Sequence, residues 1–164
     1  MTHSDDPLAR ALLAYLEANA SAPRETAPVL HAALLRLCDQ GALRGGVSVA
    51  LDVTPDELVG PLCHALGGKA TRLKVTDVRG KQPWELSVSY EGAEERWELE
   101  GNTALVDHLN DLFRSEPRVR VCAVLGEWED MLQLWCVEKK KLGALLEKKF
   151  FLPRNRAQLA SLVA

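Results

Sequence analysis

No apolar run in this chain approaches the roughly 18–20 residues that a membrane-crossing helix needs, so no bilayer span is expected. The four cysteines, Cys38, Cys63, Cys122 and Cys136, stand far apart, with no C-x-x-C among them. Each lies inside an apolar segment, which suits reduced core thiols better than a disulfide framework. The glycine pairs Gly45-Gly46 and Gly67-Gly68 lack the spacing that aims backbone donors at a phosphate, and read as helix ends and turns. The opening MTHSDDPLARALLAYLEANA has acids at Asp5 and Asp6 and no basic stretch before its apolar block, unlike a signal or transit peptide. A cytoplasmic protein with no membrane partner is the expectation. There is no internal repeat and no low-complexity segment. The Ala-, Leu- and Arg-rich composition suggests a bacterial origin.

Metal and catalytic signatures are equally sparse. Cys63 and His64 are neighbours on a predicted helix, about 100° apart, and do not face one ion. Cys122 and Cys136 approach each other across a predicted hairpin. If its turn is centred on Trp128 they are near-neighbours and not partners, and two thiolates alone do not complete a zinc site. His108 borders an apolar helical stripe, where a half-buried structural role is the commoner one. No catalytic residue, metal ligand or cofactor is assigned.

What is present is a strong hydrophobic pattern. The stretch from Arg118 to Val137, RVRVCAVLGEWEDMLQLWCV, holds two nearly unbroken apolar runs, Val119–Leu125 and Met131–Val137. Continuous runs mark strands covered on both faces. They predict a β-hairpin at the centre of a sheet, with Gly126–Asp130 as its polar tip. Around it, residues 6–20 and about 27–40 read as amphipathic helices, the second with Leu30, Leu34, Leu37 and Cys38 on one face. Val47, Val49, Leu51 and Val53 alternate as a strand. Thr54-Pro55-Asp56-Glu57 reads as a capped helix start. Lys69–Val78, Trp84–Tyr90 and Trp97–Leu99 form a meander with a charged outer face. Asn102 caps a helix carrying Leu105, Val106, Leu109, Leu112 and Phe113. Two further helices follow the hairpin, about 138–149 and 155–163.

The predicted fold is α+β: a mixed or antiparallel sheet of five to six strands covered by helices, preceded by an N-terminal helical hairpin. Residues 1–46 would be the hairpin and 47–164 the α+β domain, unless 1–164 is one compact unit.

Charge is segregated along the chain. Residues 138–164 carry seven Lys/Arg against Glu138 and Glu147, a balance of +5, in a chain whose net charge is −3. An acidic body suits a basic partner. Glu127, Trp128, Glu129 and Asp130 place an indole among carboxylates at the tip, either as core or as an interface anchor. Lys139, Lys140 and Lys141 open a helix, where cations oppose the dipole. These seven residues are the candidate partner-binding set.

The leading expectation is a non-catalytic protein-interaction module: an adaptor, a regulator or an immunity-type inhibitor. One alternative is a small enzyme using Cys63 or Cys122, or the meander carboxylates Glu91, Glu94, Glu95, Glu98 and Glu100 as metal ligands. Another is a nucleic-acid-binding regulator with a winged-helix-like start. That one is disfavoured because the second helix offers only Arg36 as a cation. The N-terminal helices are a candidate homo-oligomer surface.

Overall fold

The computed structural model describes residues 26–80, 83–147, 157 and 159–163. The helix expected over residues 6–20, and with it the helical hairpin, lies outside them. So do Lys148, Lys149, Arg154, Arg156 and the start of the last helix. The described chain runs α1 (Thr26–Asp39), β1 (Gly46–Ala50), α2 (Pro55–Leu66), a 3-10 turn (Gly68–Arg72), β2 (Lys74–Arg79), β3 (Trp84–Tyr90), β4 (Ala93–Leu99), α3 (Asn102–Leu112), β5 (Val121–Trp128), β6 (Met131–Val137) and α4 (Lys139–Glu147). From residue 47 onward this is the expected order of elements. None of its helices is long and apolar enough to cross a membrane.

The six strands form two antiparallel sheets of three, not one sheet of five or six. The first has the order β1-β6-β5 and the second is the meander β2-β3-β4. Helices α2 and α3 pack against both sheets. Their Leu58, Leu62, Leu66, Leu105 and Leu109 share one core with Leu86, Val88, Trp97 and Leu99 of the meander and with Cys122, Leu134 and Cys136 of the first sheet. The other face of the first sheet (Val121, Ala123, Leu125, Trp135 and Val137) packs under α1 and α4 through Leu34, Leu35, Cys38, Leu142 and Leu146. Leu134 and Trp135 are 0% and 1% exposed on opposite faces of β6. Burying each stabilises the fold by about 1.5–3 kcal/mol before conformational entropy is subtracted.

The two unbroken apolar runs therefore did report strands covered on both faces. They did not report position in the sheet. Only β6 is central; β5 is an edge strand. Its edge is closed at one row by a side chain. Asn110 of α3 donates from Nδ2 to the Cys122 carbonyl (2.9 Å) and accepts the Cys122 N–H on Oδ1 (2.8 Å), as a neighbouring strand would.

Local capping departs from expectation in two places. Thr54 is the N-cap of α2 but its side chain bonds no helix N–H; its hydroxyl donates to Glu57 Oε1 instead. Gly101 is the N-cap of α3, and Asn102 sends its amide to Val53 O (2.8 Å), tying α3 to the segment after β1. Leu51, expected to be buried, is 43% exposed because β1 stops at Ala50. Lys69–Val78 is not one strand: residues 68–72 wind into a 3-10 turn and pairing starts at Lys74.

Candidate functional site

The hairpin turn is tighter than its composition suggests. Trp128 pairs with Met131, which leaves only Glu129 and Asp130 in the loop. Both have positive φ, 53° and 61°. That is the signature of a type I′ turn, which normally takes Asn-Gly or Asp-Gly because side chains resist this region. The same turn joins β3 to β4, with Glu91 and Gly92 at φ 50° and 79° between the paired Tyr90 and Ala93.

A register shift between Val124 and Gly126 decides where Trp128 goes. Below it, Val121, Ala123 and Leu125 face α1 while Cys122 and Val124 face α2 and α3. Strict alternation would carry Trp128 to the α2/α3 side. The extra residue reverses the parity, so Gly126 and Trp128 join the α1 face. Trp128 packs half-buried against that cluster. It is neither closed core nor a free-standing anchor. Ala50, Met131 and Trp128 form one cross-strand row at this end of the sheet, with Ala50 exposed and the other two half-buried. Exposed Leu51 and Asp52 follow Ala50 in the chain, exposed Glu129 and Asp130 form the turn beside the row, and exposed Glu127 projects from the opposite face of the sheet.

Behind the row lies Gln133, 0% exposed. Its Nε2 donates to Asp39 Oδ1 (3.1 Å) and to the Trp128 carbonyl (3.2 Å), while its Oε1 has no partner. The amide thus ties the end of α1 to the last residue before the turn.

The candidate lysines are at the other end of the same hairpin, about 20–25 Å away at a strand's rise per residue. The structure does not bring them to the tip. Lys139 donates from Nζ to the Arg114 carbonyl. Lys141 sits 3.8 Å from Glu138 in an exposed ion pair. Lys140 is exposed. Beside Lys141 a small cavity of about 30 Å³ is lined also by Arg44 and Arg120. Neither arginine belongs to the sequence-derived set. One lies in the turn before β1 and the other just before β5, and their convergence is a product of the sheet.

All four cysteines are unpaired and buried. Cys122 lies directly opposite Cys136, not merely near it, because the two-residue turn and the register shift set the pairing. The facing Cys136 thiol, and then burial, raise the Cys122 thiol well above its usual range. Burial pushes Cys63 up to about 12, with the nearby Cys136 adding to it, and Cys38 up to about 11. Cys38 donates to the Leu134 carbonyl at 3.3 Å. Thiols held protonated are poor nucleophiles.

A cleft of about 600 Å³ runs between β4, α3 and the β5 edge. Glu98, Asp107, His108, Arg114 and Lys139 line it, and no cysteine does. His108 packs its ring 4.3 Å from Trp97. The meander acids are dispersed. Glu91 pairs with Arg72 at 3.1 Å, Glu95 accepts the Trp97 indole N–H at 2.9 Å, and Glu94 lies across from Ser89. Among the described residues no group of three His, Cys, Asp or Glu is placed to hold a metal ion. Compared with family models, curated proteins and solved structures, the chain matches none.

Proposed function

We propose that this chain is a non-catalytic protein-binding module that offers the acidic end of the β5–β6 hairpin to a basic partner. The observation that carries the reading is the row Ala50–Met131–Trp128, left partly open at the end of its sheet, with the exposed acids Glu129 and Asp130 in the adjoining turn, Glu127 just before Trp128 and Asp52 two residues past Ala50. An apolar centre containing an aromatic, inside a charged rim, is how protein interfaces are built. The sign of the rim selects a cationic partner. Two acids held at positive φ, where glycine or asparagine costs less, support the same reading, since strained backbone gathers at functional positions. An adaptor, a regulator or an inhibitor of a basic enzyme each fits it. Four unpaired thiols, two of them directly opposed, favour a reducing compartment such as the cytoplasm.

The test is site-specific photo-cross-linking in extract, with the cross-linking residue placed at Glu129 and, separately, at Ser89 on the outer face of the meander. The expected result is a discrete product from position 129 that disappears with Trp128→Ala and with Glu127→Lys, and none from position 89. Product from position 89 alone, or product from 129 that survives both substitutions, overturns the proposal.

The second reading, a small enzyme, has the 600 Å³ cleft and its His108 in its favour. It moves the chemistry away from Cys63 and Cys122, whose thiols are buried and protonated.

A further inference from the structure

We infer that the base of the β5–β6 hairpin is a binding site for a phosphate-class dianion, held by Arg44, Arg120 and Lys141. These three cations come from three separate segments: the turn before β1, the residue before β5, and the first turn of α4. They line one cavity of about 30 Å³, with Trp135 and the Cys136–Glu138 stretch forming the remainder. Glu138 is the one carboxylate in that lining, and its contact with Lys141 is an exposed one at 3.8 Å. Neither arginine has a carboxylate within ion-pair distance among the described residues.

Arg120 is pre-positioned. Its guanidinium donates to the Ala65 carbonyl (3.1 Å) and its backbone N–H to the Leu66 carbonyl (2.9 Å), so it is fixed, half-buried, against the C-terminal end of α2. A guanidinium has five N–H donors, and this contact leaves others for a ligand. Arg44 is held from behind: its carbonyl accepts the Trp135 indole N–H (3.2 Å). The neighbouring Gly45 carbonyl accepts the Cys136 N–H (2.7 Å). Backbone on both sides of the cavity is therefore rigid before any ligand arrives.

The cavity's size limits the ligand. About 30 Å³ accommodates roughly two oxygen-sized atoms. An organic body does not fit, but two oxygens of a tetrahedral dianion do, with the rest of the ligand in solvent. The first turn of α4 holds Lys139, Lys140 and Lys141 and no acid, so the cations crowd the positive end of the helix dipole. A bound dianion offsets that crowding.

The experiment is a ¹H–¹⁵N NMR titration of the whole chain with inorganic phosphate at ionic strength matched by potassium chloride, read at the Trp135 indole N–H. Methyl phosphate runs in parallel, to separate a site for the free anion from one for a monoester end-group. A saturable shift is expected with at least one of the two. Affinity should fall about tenfold in Arg44→Gln and in Arg120→Gln, each removing a charge-assisted hydrogen bond. Lys140→Gln removes an equal charge from the same turn without touching the cavity and should leave affinity unchanged. If Arg120→Gln unfolds because α2 loses its anchor, the exposed Arg44→Gln and Lys141→Gln variants carry the test. No saturable shift with either anion, wild-type affinity in Arg44→Gln, or equal weakening by Lys140→Gln overturns the proposal.

Discussion

The molecule contains the same two-residue hairpin turn twice, in opposite surroundings. At Glu91-Gly92 the turn has its customary glycine, joins strands of a sheet covered on one face, and leaves its other face to charges. At Glu129-Asp130 it has no glycine, joins strands covered on both faces, and places acids where the backbone resists them. The β3–β4 hairpin pairs without a register shift, the meander's one irregularity lying on its edge strand between Val75 and Asp77. The β5–β6 hairpin depends on its neighbours: Gln133 binds Asp39 at the end of α1, and Asn110 of α3 binds Cys122. Strain at the second turn is therefore held by tertiary contacts rather than by sequence near the turn.

The largest effect that would sharpen this contrast is at glycine. A Cβ on Gly45 would sit 2.0 Å from the Cys136 carbonyl oxygen, at φ +83°. Gly45→Ala should cost about 3–5 kcal/mol or prevent folding, because only separation of β1 from β6 relieves the clash. Gly92→Ala meets nothing within 4 Å and carries only its positive φ, +79°. It should cost about 1–2 kcal/mol. Urea unfolding of the two variants measures the difference, and equal losses would break the comparison.

Asn110→Ala comes next. It removes both bonds to Cys122 and leaves an edge strand's N–H and C=O without partners, at a cost of about 2 kcal/mol. Amide hydrogen exchange should rise at Cys122 while the meander amides stay protected. Uniform loss of protection would show that the two sheets open together.

Changing Glu129-Asp130 to Asn-Gly should act in the opposite direction. It gives the second turn the residues its geometry prefers and should raise stability by about 1 kcal/mol while weakening partner capture. A destabilised variant would mean that the acids are held by contacts of their own.

The last effect is confined to alkaline pH. Cys38 and Cys63 have folded pKa values of about 11 and 12 against 9.0 for a free thiol. Above pH 9 the unfolded chain releases these protons while the folded chain keeps them. Stability is fully present below about pH 9 and is lost as pH rises through 11 to 12. Thiolate absorbance at 240 nm should appear late, with unfolding, and Cys63→Ala should reduce the alkaline slope. Thiolate signal at pH 9 in the folded protein would refute the burial assigned to these sulfurs.

The order of elements and the two-faced burial of the hairpin were legible, because hydrophobic periodicity reports which faces are covered. Which strands are central was not, since a covered face looks the same at an edge as at the centre. Nor was the Cys122–Cys136 pairing. A hairpin's register depends on where the turn sits, and Glu-Asp carries none of the glycine or asparagine signal that marks a type I′ turn. The side of Trp128 depended on one extra residue near Gly126. At the candidate site the acidic tip was visible as a motif. Arg44 and Arg120 were not, because they are 76 positions apart and meet only once β1 and β5 flank β6.

Asn110 has a consequence for assembly. A row of bare strand groups is a template on which a second copy can dock its own strand, and repeated docking builds a polymer. Here the two groups such a newcomer would need at Cys122 are already taken by an amide rooted in a helix. Growth from that flank would first have to pull α3 away from the core it shares with both sheets.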